Sequence, residues 1–166
     1  LGSTIHFFHA LIEGQTADEG FLLLNILTQK TYDSIVRASS RTPLDSTKPK
    51  TATIFKTDMQ IGRSILPTDI MRRDSLNGNV VYALNWLDKL RVTYKKNPYP
   101  KTYLKRSHFM AGSLPIGVYS DVVMLIAPAY LDGNGSLYNP LAIQMGGYWS
   151  YEKMAGMLPI NYRPSR

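Results

Sequence analysis

Apolar residues change their spacing partway along this chain, from an early helical period to a later period of two. Thr4 to Glu13 is apolar and aromatic, carries His6 and His9, and reads as an opening helix. Asp18 and Glu19 then precede Phe21-Leu22-Leu23-Leu24, Ile26, Leu27, Tyr32, Ile35 and Val36. Acidic residues suit a helix N-terminus, and apolar positions three and four apart predict a long amphipathic helix from about Ala17 to Ala38. Ser39 to Lys50, with Pro43 and Pro49, reads as a loop.

Beyond that loop the pattern favours strands. Thr51, Thr53, Phe55, Thr57, Met59 and Ile61 share one face of an alternating segment. Pro67 and Asp69 predict a short helical piece ending near the turn signal Asn77-Gly78. From Val80 to Tyr94 both periods fit, and the β-branched and aromatic content favours a strand. Val118 to Leu131 is apolar on both faces, as in a strand covered on both sides. Asp132 to Ser136 reads as a turn. Leu141 to Tyr151 alternates again, with Gly146-Gly147 marking a bulge or bend. Helices followed by about four strands predict an α+β domain, with N-terminal helices packed on an antiparallel sheet.

Length and composition agree with one domain. The chain has 166 residues, 44% of them hydrophobic and 19% charged, enough for one core. Leu1-Gly2-Ser3 matches the remnant left when a protease removes a fusion tag, so the domain is read over residues 4–166, with a signal or anchor expected upstream. No run approaches the roughly 18 apolar residues of a membrane span. Cysteine is absent, which excludes disulfides and thiol chemistry.

The net charge of +7 points to anionic partners. Lys89, Arg91, Lys95, Lys96, Lys101, Lys105 and Arg106 lie close together, interleaved with Tyr94, Tyr99 and Tyr103. Cations for phosphate and aromatics for stacking would suit nucleic acid or an anionic membrane surface, and Lys95, Lys96, Lys101, Lys105 and Arg106 are the candidate anion-binding residues. A solvated loop is the simpler reading of the same residues. His6, His9 and Glu13 could share a helical face, but the glutamate that a zinc hydrolase motif places between its histidines is missing. Asp132, Asn134 and Ser136 imitate the start of a calcium loop, yet its twelfth position is Ile143, not glutamate. The carboxylates Asp58, Asp69, Asp74, Asp88 and Asp121 are scattered, without an evident titratable partner, and His108 has no acidic partner in view. No cofactor fingerprint occurs, and no enzyme activity is expected.

The segment Asn139-Pro140-Leu141-Ala142-Ile143-Gln144-Met145, continuing to Tyr148-Trp149-Ser150-Tyr151-Glu152, resembles the last strand of the periplasmic domain in the inner-membrane scaffold family of type IV secretion systems. That family enters the strand through Asn-Pro-x-Gly; here Ala142 stands where its glycine would be. The resemblance implies a fold like nuclear transport factor 2, a curved antiparallel sheet with helices against its concave side. It also implies a non-enzymatic assembly scaffold on the extracytoplasmic face of the inner membrane. Its partners would be other secretion-system proteins and further copies of itself, associating weakly in solution. By the same resemblance Asn139, Pro140, Leu141 and Ala142 are the candidate interaction site. The rival expectation is a viral matrix or coat-like, or nucleic-acid-binding, structural protein that uses residues 89–106.

Overall fold

Polar side chains close the ends of several elements, and they set where the chain changes direction. The computed structural model describes residues 2–39, 56–57, 60–98 and 117–152. Helix α1 (Thr4–Ile12) starts at Ser3, whose hydroxyl accepts the His6 N–H. Strand β1 (Phe21–Thr28) runs directly into helix α2 (Gln29–Ser39), and the Thr28 hydroxyl accepts the Thr31 N–H at that junction. Strands β2 (Lys56–Thr57) and β3 (Gln60–Ser64) lead to the single turn α3 (Pro67–Ile70). There Asp69 accepts the Leu66 N–H, and Pro67 occupies a position where an N–H would lack a partner.

Strands β4 (Met71–Leu76) and β5 (Asn79–Leu84) form a hairpin closed by Asn77 and Gly78. Both have positive φ, 51° and 80°, as a two-residue hairpin turn requires. Strands β6 (Lys89–Tyr94), β7 (Val118–Met124), β8 (Ala129–Leu131) and β9 (Ile143–Gly147) follow, and helix α4 (Tyr148–Glu152) continues from β9. A cis Ala127–Pro128 bond lies between β7 and β8.

These strands make two antiparallel sheets. Six are ordered β2-β3-β1-β6-β7-β9, and three are ordered β4-β5-β8. The architecture is therefore α+β with antiparallel sheets, and it differs in detail from the pattern-based expectation. Ala17 to Ala38 is not one helix. Its first half is β1, because Phe21, Leu23, Asn25 and Leu27 are buried at period two. The helical piece after Pro67 stops at Ile70, and residues 71–76 are strand. Val80 to Tyr94 is two strands in different sheets, β5 and β6, with the break at residues 85–88. Val118 to Leu131 divides in the same way into β7 and β8. Leu141 to Tyr151 pairs antiparallel with β7, but only over Ile143–Gly147, after which the chain is helical. The expected loop from Ser39 begins one residue later, since Ser39 ends α2, and the rest of it and most of the strand at 51–61 lie outside the described residues.

Register explains the core. One face of the large sheet carries successive cross-strand rows: Phe21, Tyr94 and Val118; then Leu23, Val92 and Ser120; then Asn25, Leu90, Val122 and Met145. All of these except Met145, which is partly buried, are buried. Phe7 of α1 packs its ring 5.4 Å from those of both Phe21 and Trp149, so α1 joins the sheet to α4. Trp149 donates its indole N–H to the Gly2 carbonyl at 2.7 Å, and its backbone N–H to Ser120 at 2.9 Å. Gly2 and Ser3 are thus working parts of the fold. Gly2 has φ +85°, and a Cβ there would lie 2.5 Å from the Tyr94 ring.

Leu90 is fully buried where both sheets contribute to the core. Leu90→Ala removes that packing and is expected to cost about 2–5 kcal/mol. A fall in the urea unfolding midpoint at unchanged slope is the expected readout.

Candidate interaction site

Asn139 and Pro140 build a tight turn at the entry to β9. The Asn139 side-chain oxygen accepts the Leu141 N–H at 3.0 Å, and its carbonyl accepts the Ala142 N–H at 3.0 Å. Ala142 is absent from the positive-φ residues, so this turn needs no glycine. The four residues then part company. Ala142 is buried and packs in the core, whereas Leu141 is 75% exposed. The Ala142 carbonyl accepts the N–H groups of both Leu125 and Ile126, at 2.8 and 3.1 Å. Those bonds hold the exposed Leu125 and Ile126 beside the turn. Tyr138, also more than half exposed, is tied to β8 through its N–H and the Tyr130 carbonyl. Four large exposed apolar residues, Leu125, Ile126, Tyr138 and Leu141, therefore lie on the loops around this turn, beside β9, which ends the six-stranded sheet among the described residues. Leu125 and Ile126 carry no local signal of this role, because a run apolar on both faces reads as continuous strand.

A second concavity lies between α2, α3 and the large sheet. It encloses about 410 Å³ and is lined by Asn25, Leu27, Ile35, Arg63, Ile65, Asp69, Asn85, Trp86 and Leu87. Asn25 faces Arg63 directly across β1 and β3. Its side-chain oxygen is buried without a hydrogen-bond partner, a state that costs about 1–3 kcal/mol when nothing compensates.

The basic stretch does not form one surface among the described residues. Arg91 makes a bidentate pair with Asp121, at 2.7 and 3.0 Å, and stacks over the Tyr119 ring at 4.4 Å; Lys89 lies 3.6 Å from the same carboxylate. Asp121 thus has the titratable partner that the sequence did not show. Lys96 donates to the Asp18 carbonyl at 2.7 Å, and Lys95 is exposed. Tyr94 is buried and offers no face for stacking. Lys101, Lys105, Arg106, Tyr99, Tyr103, His108 and Asp58 lie outside the described residues.

Elsewhere polar groups serve the fold. The Asp132 carboxylate accepts the N–H groups of Asn134 and Ser136, both at 2.8 Å, and so closes a turn. Among the described residues no cluster of three or more histidines, cysteines and carboxylates could hold a metal, and no helix is long and apolar enough to cross a membrane. Compared with known proteins, the chain gives no significant match to any family model, curated protein or solved structure.

His6 is a core residue. Its Nδ1 accepts the Gly2 N–H at 2.8 Å, which leaves Nε2 to donate to Glu19 at 3.2 Å. The ring also makes edge contacts with Phe21 and Tyr94. Burial holds its pKa below the usual 6.5, outweighing the opposing pull of Glu19. The unfolded chain therefore binds the proton more readily. Stability associated with His6 should be complete above about pH 6.5 and decline as pH falls through the lower folded pKa. His6→Phe keeps an aromatic ring and removes the titration. The expected outcome is a flatter dependence of the urea midpoint on pH between neutrality and mild acid; an unchanged slope would assign that dependence to other groups.

Proposed function

We propose that this chain is a non-enzymatic assembly domain that associates with further copies of itself through the corner at Leu141 and the adjoining edge of β9. The observation that carries the reading is the exposure of Leu125, Ile126, Tyr138 and Leu141 together, on loops held by hydrogen bonds to the folded body. Isolated exposed apolar residues are ordinary, whereas several beside a strand edge that is unpaired among the described residues favour a protein contact. A second copy suits this surface on simple grounds. An antiparallel strand edge can pair with its own counterpart about a twofold axis, and each apolar corner then meets the neighbouring molecule.

The setting comes from the resemblance at residues 139–152. It supports an extracytoplasmic scaffold of a secretion or conjugation machine, with other secretion-system proteins as partners and a nuclear transport factor 2-like arrangement as its finer fold. In such a setting a membrane anchor would concentrate the domain, so weak association of the isolated chain would suffice. The bidentate Arg91–Asp121 pair and the buried Tyr94 favour this reading over nucleic-acid binding, because they withdraw a cation and an aromatic from residues 89–106.

Leu141→Asp tests the proposal. The site is exposed, so thermal stability should change by no more than about 0.5 kcal/mol. Self-association, followed by sedimentation over a concentration series, should weaken by about tenfold or more, as for a contact central to an interface. Pro140→Gly should act in the same direction at a stability cost of about 1 kcal/mol. Association unchanged in both variants would contradict the assignment of this corner.

A further inference from the structure

The turn that Asp132 closes carries a motif whose side chains the fold leaves idle. Asn134-Gly135-Ser136 is an Asn-x-Ser triplet with glycine, not proline, in the middle, and no other Asn-x-Ser or Asn-x-Thr occurs in the 166 residues. Asp132, two residues ahead, extends it to Asp-x-Asn-x-Ser, the longer form that bacterial oligosaccharyltransferases accept. The triplet alone is common by chance, so its placement decides what it can do.

That placement suits an acceptor. Residues 132–136 form the loop of a hairpin whose arms meet at the antiparallel bridge between Leu131 and Leu137. One side of the loop rests on α1: Gly135 is buried at φ +73°, and a Cβ there would lie 3.1 Å from that of Phe8. The other side is open. Gly133 and Asn134 are exposed, and a Cβ at Gly133 would meet nothing within 4 Å. The backbone of the loop is held from within. Asp132 Oδ1 accepts the N–H groups of Asn134 and Ser136, and the Ser136 carbonyl accepts the Asp132 N–H at 2.9 Å. The side chains are left over: the Asn134 amide, the Ser136 hydroxyl and Asp132 Oδ2 make no hydrogen bond to another described residue.

We propose that Asn134 is an acceptor for N-linked glycosylation. The donor is an oligosaccharide joined through pyrophosphate to a membrane lipid, and the catalyst is an oligosaccharyltransferase on the extracytoplasmic face of the membrane. The Asn134 amide nitrogen forms a bond to the anomeric carbon of the first sugar. The bond from that carbon to the pyrophosphate oxygen breaks, and the lipid pyrophosphate leaves with the electron pair. The nitrogen gives up one proton to a base of the transferase. The Ser136 hydroxyl offers a hydrogen bond by which the triplet is recognised, and Asp132 Oδ2 offers a charge to a cationic group of the enzyme. A bulky, polar glycan would extend from the open side of the loop without disturbing the contact with α1. This inference rests on the extracytoplasmic setting proposed above, and not on the corner at Leu141.

The test incubates the whole folded chain with a purified bacterial oligosaccharyltransferase and a lipid-linked oligosaccharide, and reads the peptide spanning residues 132–136 by mass. A known acceptor peptide shows that the enzyme is active. Because enzyme and donor are supplied, the result does not depend on where the chain resides in the cell. One glycan on Asn134 is expected, absent from Asn134→Gln and Ser136→Ala and retained in Ser136→Thr. Asp132→Asn keeps an oxygen for the two N–H groups, so the urea midpoint should hold while transfer falls at least about tenfold, the loss of one charge-assisted contact. A folded chain left unmodified by the active enzyme would overturn the proposal. So would a glycan on another residue, or transfer undiminished in Asp132→Asn. Self-association is followed separately in Leu141→Asp, so failure at Asn134 leaves the assembly reading standing.

Discussion

Close packing around Tyr94 ties three strands and helix α1 together. It pairs with Phe21 on one side and Val118 on the other, so it fixes the register of β1, β6 and β7 together. Its ring lies 4.9 Å from that of Phe21 and 5.7 Å from His6, which brings α1 onto the sheet. Gly2 packs against the ring, and Gly117, at φ +85°, passes against the Tyr94 carbonyl where any Cβ would collide. The next residue, Lys95, donates its N–H to the Gly20 carbonyl and closes the start of β1. Segments distant in sequence therefore meet at one side chain.

From that centre the order of the sheet follows outward. The buried rows reach β9 through Val122 and Met145, and Trp149 then turns the chain back to Ser120 and Gly2. Two features lie at the periphery of this scheme, one on either side of β6. On one side is the apolar corner beside β9. On the other is the cleft beside β3, where Asn25 leaves the core incomplete. Both depart from what packing alone would select, one by exposing leucine and the other by burying an unpartnered amide.

Much of this was legible in the residues, and the misreadings share a cause. The helix at Thr4–Ile12 and the Asn77-Gly78 turn follow from local signals. Phe21-Leu22-Leu23-Leu24 satisfies the helical and the strand period at once, and tertiary pairing with β3 and β6 decided for strand. The sheet switches at 85–88 and 125–128 are set by long-range packing, so the apolar pattern runs through them unbroken. At the candidate site, the turn at Asn139 follows from local chemistry, whereas the choice of Asn139, Pro140, Leu141 and Ala142 as a site comes from the resemblance alone. Leu125 and Ile126 were not legible, because only the hydrogen bonds to Ala142 bring them to the same corner. The lone amide at Asn25 gave no local signal, since its burial depends on cross-strand neighbours.

Hydrogen exchange across a protein concentration series shows whether copies pair along β9. Among the described residues the outer edge of Ile143–Gly147 has no partner strand, so its amides should exchange readily when the chain is dilute. If copies pair along that edge, exchange at residues 143–147 and at the 138–141 turn should slow as concentration rises, while β1 and β6 in the sheet interior stay unchanged. Exchange at β9 that is independent of concentration, in a sample that demonstrably associates, would contradict the account and place the contact elsewhere.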